Sequence, residues 1–268
     1  MDANLSVRIA TASVALPLLI WLVGWSPAWV FPVTIFILTV VALHEFFALA
    51  FPRSWKDRST GIIFGLSLSA VIFFESRLPV AQCLALLILI GFSFYLFSAG
   101  ELTERMNRLL FTLLGGIYAG FLLPHWVSLF RQPQGRAWTF WVLTVVMTGD
   151  ATAYFVGRRF GVRKLAPQIS PGKTVAGAWG YIAGAIIAGI VGAKIFLEPY
   201  HWLEILVLAA AAGILGQFGD LFESWIKRVF AVKDSGRLLP GHGGLLDRLD
   251  SLIFPAVFTT TYLRVFHP

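Results

Sequence analysis

Two short polar segments late in the sequence carry acids at helical spacing. Within GDLFESWIK, one helix face holds Asp220, Glu223, Ser224 and Lys227, and within DRLDS one face holds Asp247, Asp250 and Ser251. Carboxylates brought together repel one another unless a cation lies between them. Oxygen-rich, thiolate-free sets suit Mg²⁺, which usually binds one or two carboxylates together with substrate phosphates. The spacing leaves two interpretations open, a Mg²⁺ site and a salt-bridge network with Lys227, Arg228 and Arg248.

Two further acids lie in or beside apolar runs. Asp150 falls inside the run that contains TGDATAY. A carboxylate in a membrane span costs about 3 kcal/mol on insertion scales, so it normally faces a cavity, a partner or an ion. Asp150 is therefore either functional or a structural partner of a nearby arginine. Glu45, beside His44 at the end of the second apolar run, is either an interfacial cap or a functional group.

The basic segment 158–174 ends in Ser-Pro-Gly-Lys-Thr. It is not a Walker A loop, because Pro167 stands where that motif needs glycine. We interpret it as a turn-rich connection in which Lys173 and Thr174 can donate to a phosphate, with Ser170 as a second hydroxyl. Contact with lipid head groups explains the two arginines that begin the segment, but it does not explain the Ser-Pro-Gly-Lys-Thr turn.

Composition sets the class of protein that must position these residues. The chain has 268 residues, of which 57% are hydrophobic and 13% charged, whereas soluble domains carry about 25% charged residues. An integral membrane protein is therefore expected. The net charge of +7 is assigned to loops that face lipid heads and not to nucleic acid. The single cysteine, Cys83, excludes an intrachain disulfide.

Nine apolar stretches approach the length of about 20 residues that crosses a bilayer. They are 9–25, 28–51, 60–75, 79–98, 108–130, 138–157, 175–194, 202–219 and 251–266. The first is interpreted as a span and not as a cleaved signal peptide. The expected fold is an all-α polytopic bundle of about nine transmembrane helices. We expect a single membrane-embedded domain over 1–268, with N-terminal spans in 1–130 and the catalytic loops in 131–268.

The basic residues predict the orientation of these spans. With the N-terminus inside, sixteen of the 21 lysines and arginines lie on the inner side. Positive charge concentrates in cytoplasmic loops, so the N-terminus is expected in the cytoplasm. Both long polar connections, 158–174 and 220–250, then face the compartment that holds nucleotides.

At this point the residues resemble a known family. The motif SWIKR, four residues, KDSG, and then PGHGGLLDRLD, within 224–250, is similar to the signature of the phosphatidate cytidylyltransferases, also called CDP-diacylglycerol synthases. The segment GDATAYFVGRRFG with KLAPQISPGKT, within 149–174, resembles the bacterial members. One departure is Ala176, where the family often has Glu or Gln.

The resemblance implies that CTP and phosphatidate give CDP-diacylglycerol and pyrophosphate, with Mg²⁺, in the bacterial cytoplasmic (inner) membrane. It also implies a cavity open to cytoplasm and lipid, and a homodimer. The convergence of several carboxylates allows a second cation such as K⁺. We predict catalytic roles for Asp220, Asp247, Lys227 and Arg248, and metal ligands at Asp220, Asp247, Asp250 and Asp150. The predicted substrate-binding residues are Ser170, Lys173, Thr174, Ser224, Arg228, Lys233 and His242.

Three alternatives stay open on the sequence. A CTP-dependent polyprenol or lipid kinase would transfer the γ-phosphate and release CDP. A cytidylyltransferase for another lipid phosphate would still form a CDP-lipid. An ion-coupled transporter would use Asp150 and Glu45 as carriers and predicts polar residues grouped at mid-membrane. Most polar residues here cluster at one boundary instead, which favours the cytidylyltransferase.

Overall fold

The fold is described from a computed structural model that covers residues 3–74, 79–197, 200–236 and 243–267, with backbone only for 3–12. The helices are α1 Ala3–Gly24, α2 Val30–Ala50, α3 Trp55–Phe73, α4 Val80–Leu96, α5 Leu102–Gly115, α6 His125–Phe130, α7 Gly135–Phe160, α8 Val175–Phe196, α9 Trp202–Val229 and α10 Leu246–Phe266. A π-helix, Gly116–Leu122, lies between α5 and α6, and two short strands, β1 Lys164–Ala166 and β2 Ser170–Thr174, lie between α7 and α8.

The helical, membrane-type architecture is confirmed. Five segments of the described residues are long and apolar enough to cross a bilayer, namely α2, Leu102–Phe130, α7, α8 and α9. Each of the nine predicted stretches overlaps helical structure. The number of about nine spans and the cytoplasmic N-terminus stay predictions, because length and apolar composition identify five segments only.

The segment 158–174 differs from the turn-rich connection that its composition predicts. Strands β1 and β2 pair antiparallel, with Lys164 opposite Thr174 and Ala166 opposite Ser170. The hairpin forms because a short connection brings the two strands together, and the pairing satisfies backbone groups that an open loop would leave to water. Arg228 of α9 contacts the turn between the two strands, because its Nε donates to the Ile169 carbonyl at 3.1 Å.

Helices α7, α8, α9 and α10 pack together in the part of the bundle that carries the polar segments. Buried apolar side chains from all four contribute to the core, including Trp141, whose Nε1 donates to the Gly189 carbonyl at 2.8 Å. Small residues let the axes approach: a Cβ at Gly184 of α8 would lie 2.1 Å from Thr152 Oγ1 of α7. This close contact places the polar ends of α7 and α8 side by side.

The two acid-bearing segments form helix as their spacing predicts. Helix α9 runs without a break from Trp202 to Val229, so GDLFESWIK continues the apolar helix 202–219 past its predicted end. Helix α10 begins at Leu246, so DRLDS forms its first turns. The polar faces therefore lie on rigid helices at the point where these helices meet.

Candidate active site

The two acid faces meet in one cavity of about 400 Å³, here called the acidic cavity. Its lining residues are Asp150, Asp220, Lys227, Asp234, Asp247, Arg248, Asp250 and Ser251. All four predicted metal ligands are among them. The two predicted acid faces therefore line one cavity, and their role as a metal site stays a prediction.

A glycine allows α9 and α10 to meet so closely. A Cβ built on Gly219 would lie 2.2 Å from the backbone oxygen of Asp250, far inside van der Waals contact. No larger residue fits here without moving one helix. The contact brings Asp220, the next residue on α9, to the same cavity as Asp250.

Lys227, which lines the acidic cavity, bridges two carboxylates. Its Nζ lies 2.5 Å from Glu223 Oε2 and 2.6 Å from Asp247 Oδ1. The Glu223 residue is only 2% exposed, and a buried carboxylate needs such a partner to stay charged. The salt-bridge interpretation of the spacing is thus realised at this point, alongside the convergence of acids.

The two oxygens of Asp247 have different surroundings. Oδ2 accepts from Ser235 N at 2.9 Å, from Gly244 N at 2.8 Å and from Ser235 Oγ at 3.1 Å. Oδ1 faces Lys227. Burial alone raises the pKa of this carboxyl, but the Lys227 ammonium and the two backbone N–H groups outweigh burial, so the pKa lies below its usual range. Asp247 is therefore an ionised carboxylate, and its Oδ1 accepts from the Lys227 ammonium.

The remaining acids are also held in place. Asp220 Oδ2 lies 2.5 Å from Lys173 Nζ, and Ser224 Oγ donates to Asp220 Oδ1 at 3.4 Å. Asp150 Oδ2 accepts from Ser251 Oγ at 3.2 Å, and the neighbouring Asp250 is 8% exposed. Predicted residues from α7, β2, α9 and α10 are thereby joined through direct polar contacts.

A second cavity of about 510 Å³, here called the basic cavity, adjoins the first. It lies between the hairpin and helices α7 and α8, and Arg158, Lys164 and Lys173 line it. Asp150 and Asp220 line both cavities. A cavity lined by three cationic side chains thus shares a wall with a cavity lined mainly by carboxylates.

Only some of the predicted substrate-binding residues lie at the two cavities. Lys173 and Thr174 line the basic cavity, and Ser224 contacts Asp220. The Thr174 hydroxyl also caps α8, because its oxygen accepts from Gly177 N at 3.1 Å. Three others do not line either cavity, and His242 lies outside the described residues. Those three are Ser170 on β2, Arg228, which contacts the Ile169 and Val232 carbonyls, and the exposed Lys233.

Some site residues were not predicted. Asp234 lines the acidic cavity. Its position inside the KDSG motif could have indicated a role in the site. Tyr181, which is 3% exposed, lines the basic cavity, and nothing in its sequence context indicates this. Glu45, left open on the sequence, contacts the loop that precedes α10.

The acidic cavity has the donor chemistry for Mg²⁺, but its carboxylates are engaged with lysines. Five aspartates and no thiolate line it, which suits a hard cation. Across the part of the chain that the structure describes, no three Asp, Glu, His or Cys side chains are grouped closely enough to hold a metal. Lys173 and Lys227 contact the carboxylates of Asp220 and Asp247. The residues fit a divalent cation by type, and metal binding stays a prediction.

Comparison with known proteins identifies the family of the chain. A family model described as the Cytidylyltransferase family matches residues 6–266. A phosphatidate cytidylyltransferase of Thermotoga maritima is 30% identical over 265 residues, which cover 94% of each chain. One of Staphylococcus haemolyticus is 34% identical over 258 residues, which cover 93% of this chain and 95% of the relative.

Other relatives match over a shorter part. A phosphatidate cytidylyltransferase of Brucella abortus biovar 1 is 46% identical over 154 residues. This match spans 57% of the chain described here and 56% of the length of the relative.

Proposed function

The chain belongs to the cytidylyltransferase family, and we propose that it is a phosphatidate cytidylyltransferase, which converts CTP and phosphatidate to CDP-diacylglycerol and pyrophosphate. One observation carries the proposal: a basic cavity and an acidic cavity share Asp150 and Asp220 as a common wall. The first suits phosphate groups and the second suits a divalent cation. The names of relatives that align over nearly the whole chain support the same reaction.

The chemistry requires positioning more than a strong base. An oxygen of the phosphatidate phosphate attacks the α-phosphorus of CTP, a new P–O bond forms, and the bond between the α-phosphorus and the bridging oxygen breaks. Pyrophosphate leaves with the electron pair of that bond. Because the lipid phosphate is already an anion, catalysis depends on alignment and on neutralising negative charge.

The basic cavity supplies part of that charge. Arg158, Lys164 and Lys173 line it and can neutralise phosphate oxygens. Lys173 also contacts Asp220, so it would link a phosphate bound in the basic cavity to the carboxylates of the acidic cavity. From the acidic cavity, Lys227 and Arg248 add two cations on the side of Asp247.

The carboxylates of the acidic cavity would hold the Mg²⁺. We assign Asp220 and Asp247 as the principal ligands, with Asp250 and Asp150 as further ligands or as hydrogen-bond partners of the ligands. A bound Mg²⁺ supplies charge neutralisation at phosphate oxygens and at the departing pyrophosphate. Neighbouring residues orient the carboxylates that would hold it: Ser224 donates to Asp220, and the Ser235 and Gly244 backbone N–H groups donate to Asp247. A second cation such as K⁺ remains part of the proposal.

The other predicted roles belong to the same proposal. Ser170, Arg228 and Lys233 stay proposed substrate-binding residues, although they line neither cavity. His242 is assigned either to pyrophosphate or to the turn of its glycine-rich loop. For the setting we propose the bacterial cytoplasmic membrane, about nine spans in one domain, a cytoplasmic N-terminus and a homodimer.

Product analysis tests the activity. Purified protein in detergent receives CTP labelled at the α-phosphorus, a panel of lipid phosphates and polyprenol, and Mg²⁺ or EDTA. We expect labelled CDP-diacylglycerol and free pyrophosphate from phosphatidate. Labelled CDP with a newly phosphorylated lipid would indicate a kinase, and a CDP-lipid from another acceptor only would change the substrate. No nucleotide turnover with any acceptor would contradict the enzyme assignment and return attention to a transporter.

A further inference from the structure

Glu45 lies on α2, 200 residues before Leu245 in the sequence, and yet its carboxylate contacts the start of α10. We infer that Glu45 is a positioning residue for the transfer reaction, which holds Asp247 and Asp250 in place from the other end of the chain. The inference rests on the proposed function for its kinetic part. Its structural part stands on the contacts alone.

The carboxylate clamps the first turn of α10. Glu45 Oε1 accepts from Leu245 N at 2.9 Å, and Oε2 accepts from Leu246 N at 3.0 Å. The first N–H groups of a helix have no partner within the helix, and no side chain of the Leu245 cap position itself supplies one. Glu45 therefore serves as the cap, and its negative charge lies at the positive end of the helix.

The clamp is connected to Asp247 through one serine. Ser235 Oγ lies 3.2 Å from Glu45 Oε2 and 3.1 Å from Asp247 Oδ2. A hydroxyl has one proton, so it donates to only one of these carboxylates at a time. The Ser235 backbone N–H donates to Asp247 whichever carboxylate the hydroxyl donates to. A change at Glu45 thus reaches Asp247 by two routes, along the backbone from Leu246 and through Ser235.

Two glycines make room for the Glu45 side chain. A Cβ at Gly236 would lie 2.4 Å from Glu45 Oε1, and a Cβ at Gly244 would lie 2.8 Å from Glu45 Oε2. The same Cβ at Gly244 would lie 2.1 Å from Ser235 Oγ. These glycines belong to the KDSG and GHGG parts of the motif, so their small size is explained by the carboxylate that they surround.

The placement of Glu45 separates positioning from direct catalysis. The residue is 6% exposed, and it does not line the acidic or the basic cavity. Its influence on the reaction must pass to Asp247 through Leu246 and Ser235. The expected effect is therefore on the rate of the bound complex and on the rigidity of this turn, and not on the affinity for CTP.

The test compares Glu45→Gln with Glu204→Gln in purified full-length protein. Glutamine keeps the size but has one acceptor oxygen, so its amide –NH₂ would face a backbone donor. Glu204 is a matched control, because it is also a hydrogen-bonded acid, with Tyr262 and His267 as partners at the other end of α9. Two quantities are measured: hydrogen–deuterium exchange in peptides that cover 243–250, and kcat with KM for CTP.

In Glu45→Gln we expect the Leu245 and Leu246 amides to exchange at least tenfold faster, kcat to fall at least tenfold, and KM for CTP to stay within threefold. Glu204→Gln should change neither quantity. Unchanged exchange, or faster exchange with an unchanged kcat, would overturn the inference. If Glu45→Gln does not fold, Glu45→Asp, which keeps the charge, is measured in the same way, and wild-type values would again overturn it. Faster exchange in a protein whose wild type makes no CDP-lipid would support the clamp and contradict the proposed function instead.

Discussion

Lys173 Nζ lies 2.5 Å from Asp220 Oδ2, and this ion pair joins the hairpin to α9 at the wall between the two cavities. The lysine reaches from the basic side and the aspartate lines both sides. A phosphate in the basic cavity would draw Lys173 away from Asp220, and a cation in the acidic cavity would draw Asp220 away from Lys173. The pair is therefore the point at which binding in one cavity can be sensed in the other.

Replacing Lys173 by methionine should impair the reaction far more than the fold. The ion pair is partly exposed, and such pairs contribute about 1 kcal/mol or less to stability. Loss of one group that stabilises charge in the transition state costs about 100-fold or more in rate. Thermal unfolding and kcat/KM are measured together, with Lys194→Met at the far end of α8 as the control. Equal losses of activity in both variants would contradict the role of Lys173.

Asp220→Asn and Asp247→Asn should each abolish CTP-dependent product while the protein still folds. Each variant removes a charge from the proposed Mg²⁺ ligand set and keeps the size of the side chain. Product is assayed over a Mg²⁺ titration, and Glu104→Gln, an exposed acid on α5, is the control. Near-normal turnover by either Asn variant at limiting Mg²⁺ would show that the metal assignment is wrong.

Lys227→Met should destabilise the protein, because it leaves the buried Glu223 carboxylate without its ion-pair partner. Breaking a buried pair from one side costs roughly 3–5 kcal/mol. The double variant Glu223→Gln with Lys227→Met removes that unpaired charge and should recover part of the loss. Unfolding midpoints give the stabilities, and the product assay should show both variants inactive. A double variant no more stable than the single one would contradict this account of the Glu223–Lys227 ion pair.

Thr174→Ala should cost about 1 kcal/mol of stability, the usual effect of losing a helix N-cap. Thr174→Ser keeps the oxygen that accepts from Gly177 N and should stay close to wild type. Denaturant or thermal unfolding in detergent compares the two. If the alanine variant is as stable as the serine variant, the cap contributes nothing to this helix.

Gly219→Ala should destabilise the contact between α9 and α10 by about 1–3 kcal/mol, the range for overpacking. Its Cβ would meet the Asp250 backbone oxygen, which cannot rotate away. Gly172→Ala is the matched control, since no atom lies within 4 Å of a Cβ at that position. Unfolding midpoints are compared, and similar shifts for the two variants would argue against close packing as the reason for Gly219.

The helical faces could be predicted because their information is local. Asp220, Glu223 and Lys227 lie on one face of α9 by spacing alone, and the helix confirms it. The family could likewise be predicted, since the motif in 224–250 is long and has fixed spacing. Both are properties that neighbouring residues determine.

The contacts across the site could not be predicted, because they depend on tertiary packing. Lys173 meets Asp220 only after the hairpin folds against α9, and β1, with three residues, is too short to give a strand pattern. The spacing left a Mg²⁺ site and a salt-bridge network both open, and only the tertiary packing shows that Lys173 and Lys227 contact the carboxylates. Glu45 showed only an acid in an apolar run, while its partners Leu245 and Leu246 follow 200 and 201 residues later.

That separation has a consequence for the biosynthesis of the protein. During translation α2 is made early, and its Glu45 carboxylate has none of the three donors described above until residues 235–246 have left the ribosome. The backbone donors of Leu245 and Leu246 and the side chain of Asp247 are then synthesised one after the other. A nascent chain whose helices α1–α9 are already made still lacks the ordered acidic cavity, so the site can form only after residues 235–250 have been synthesised.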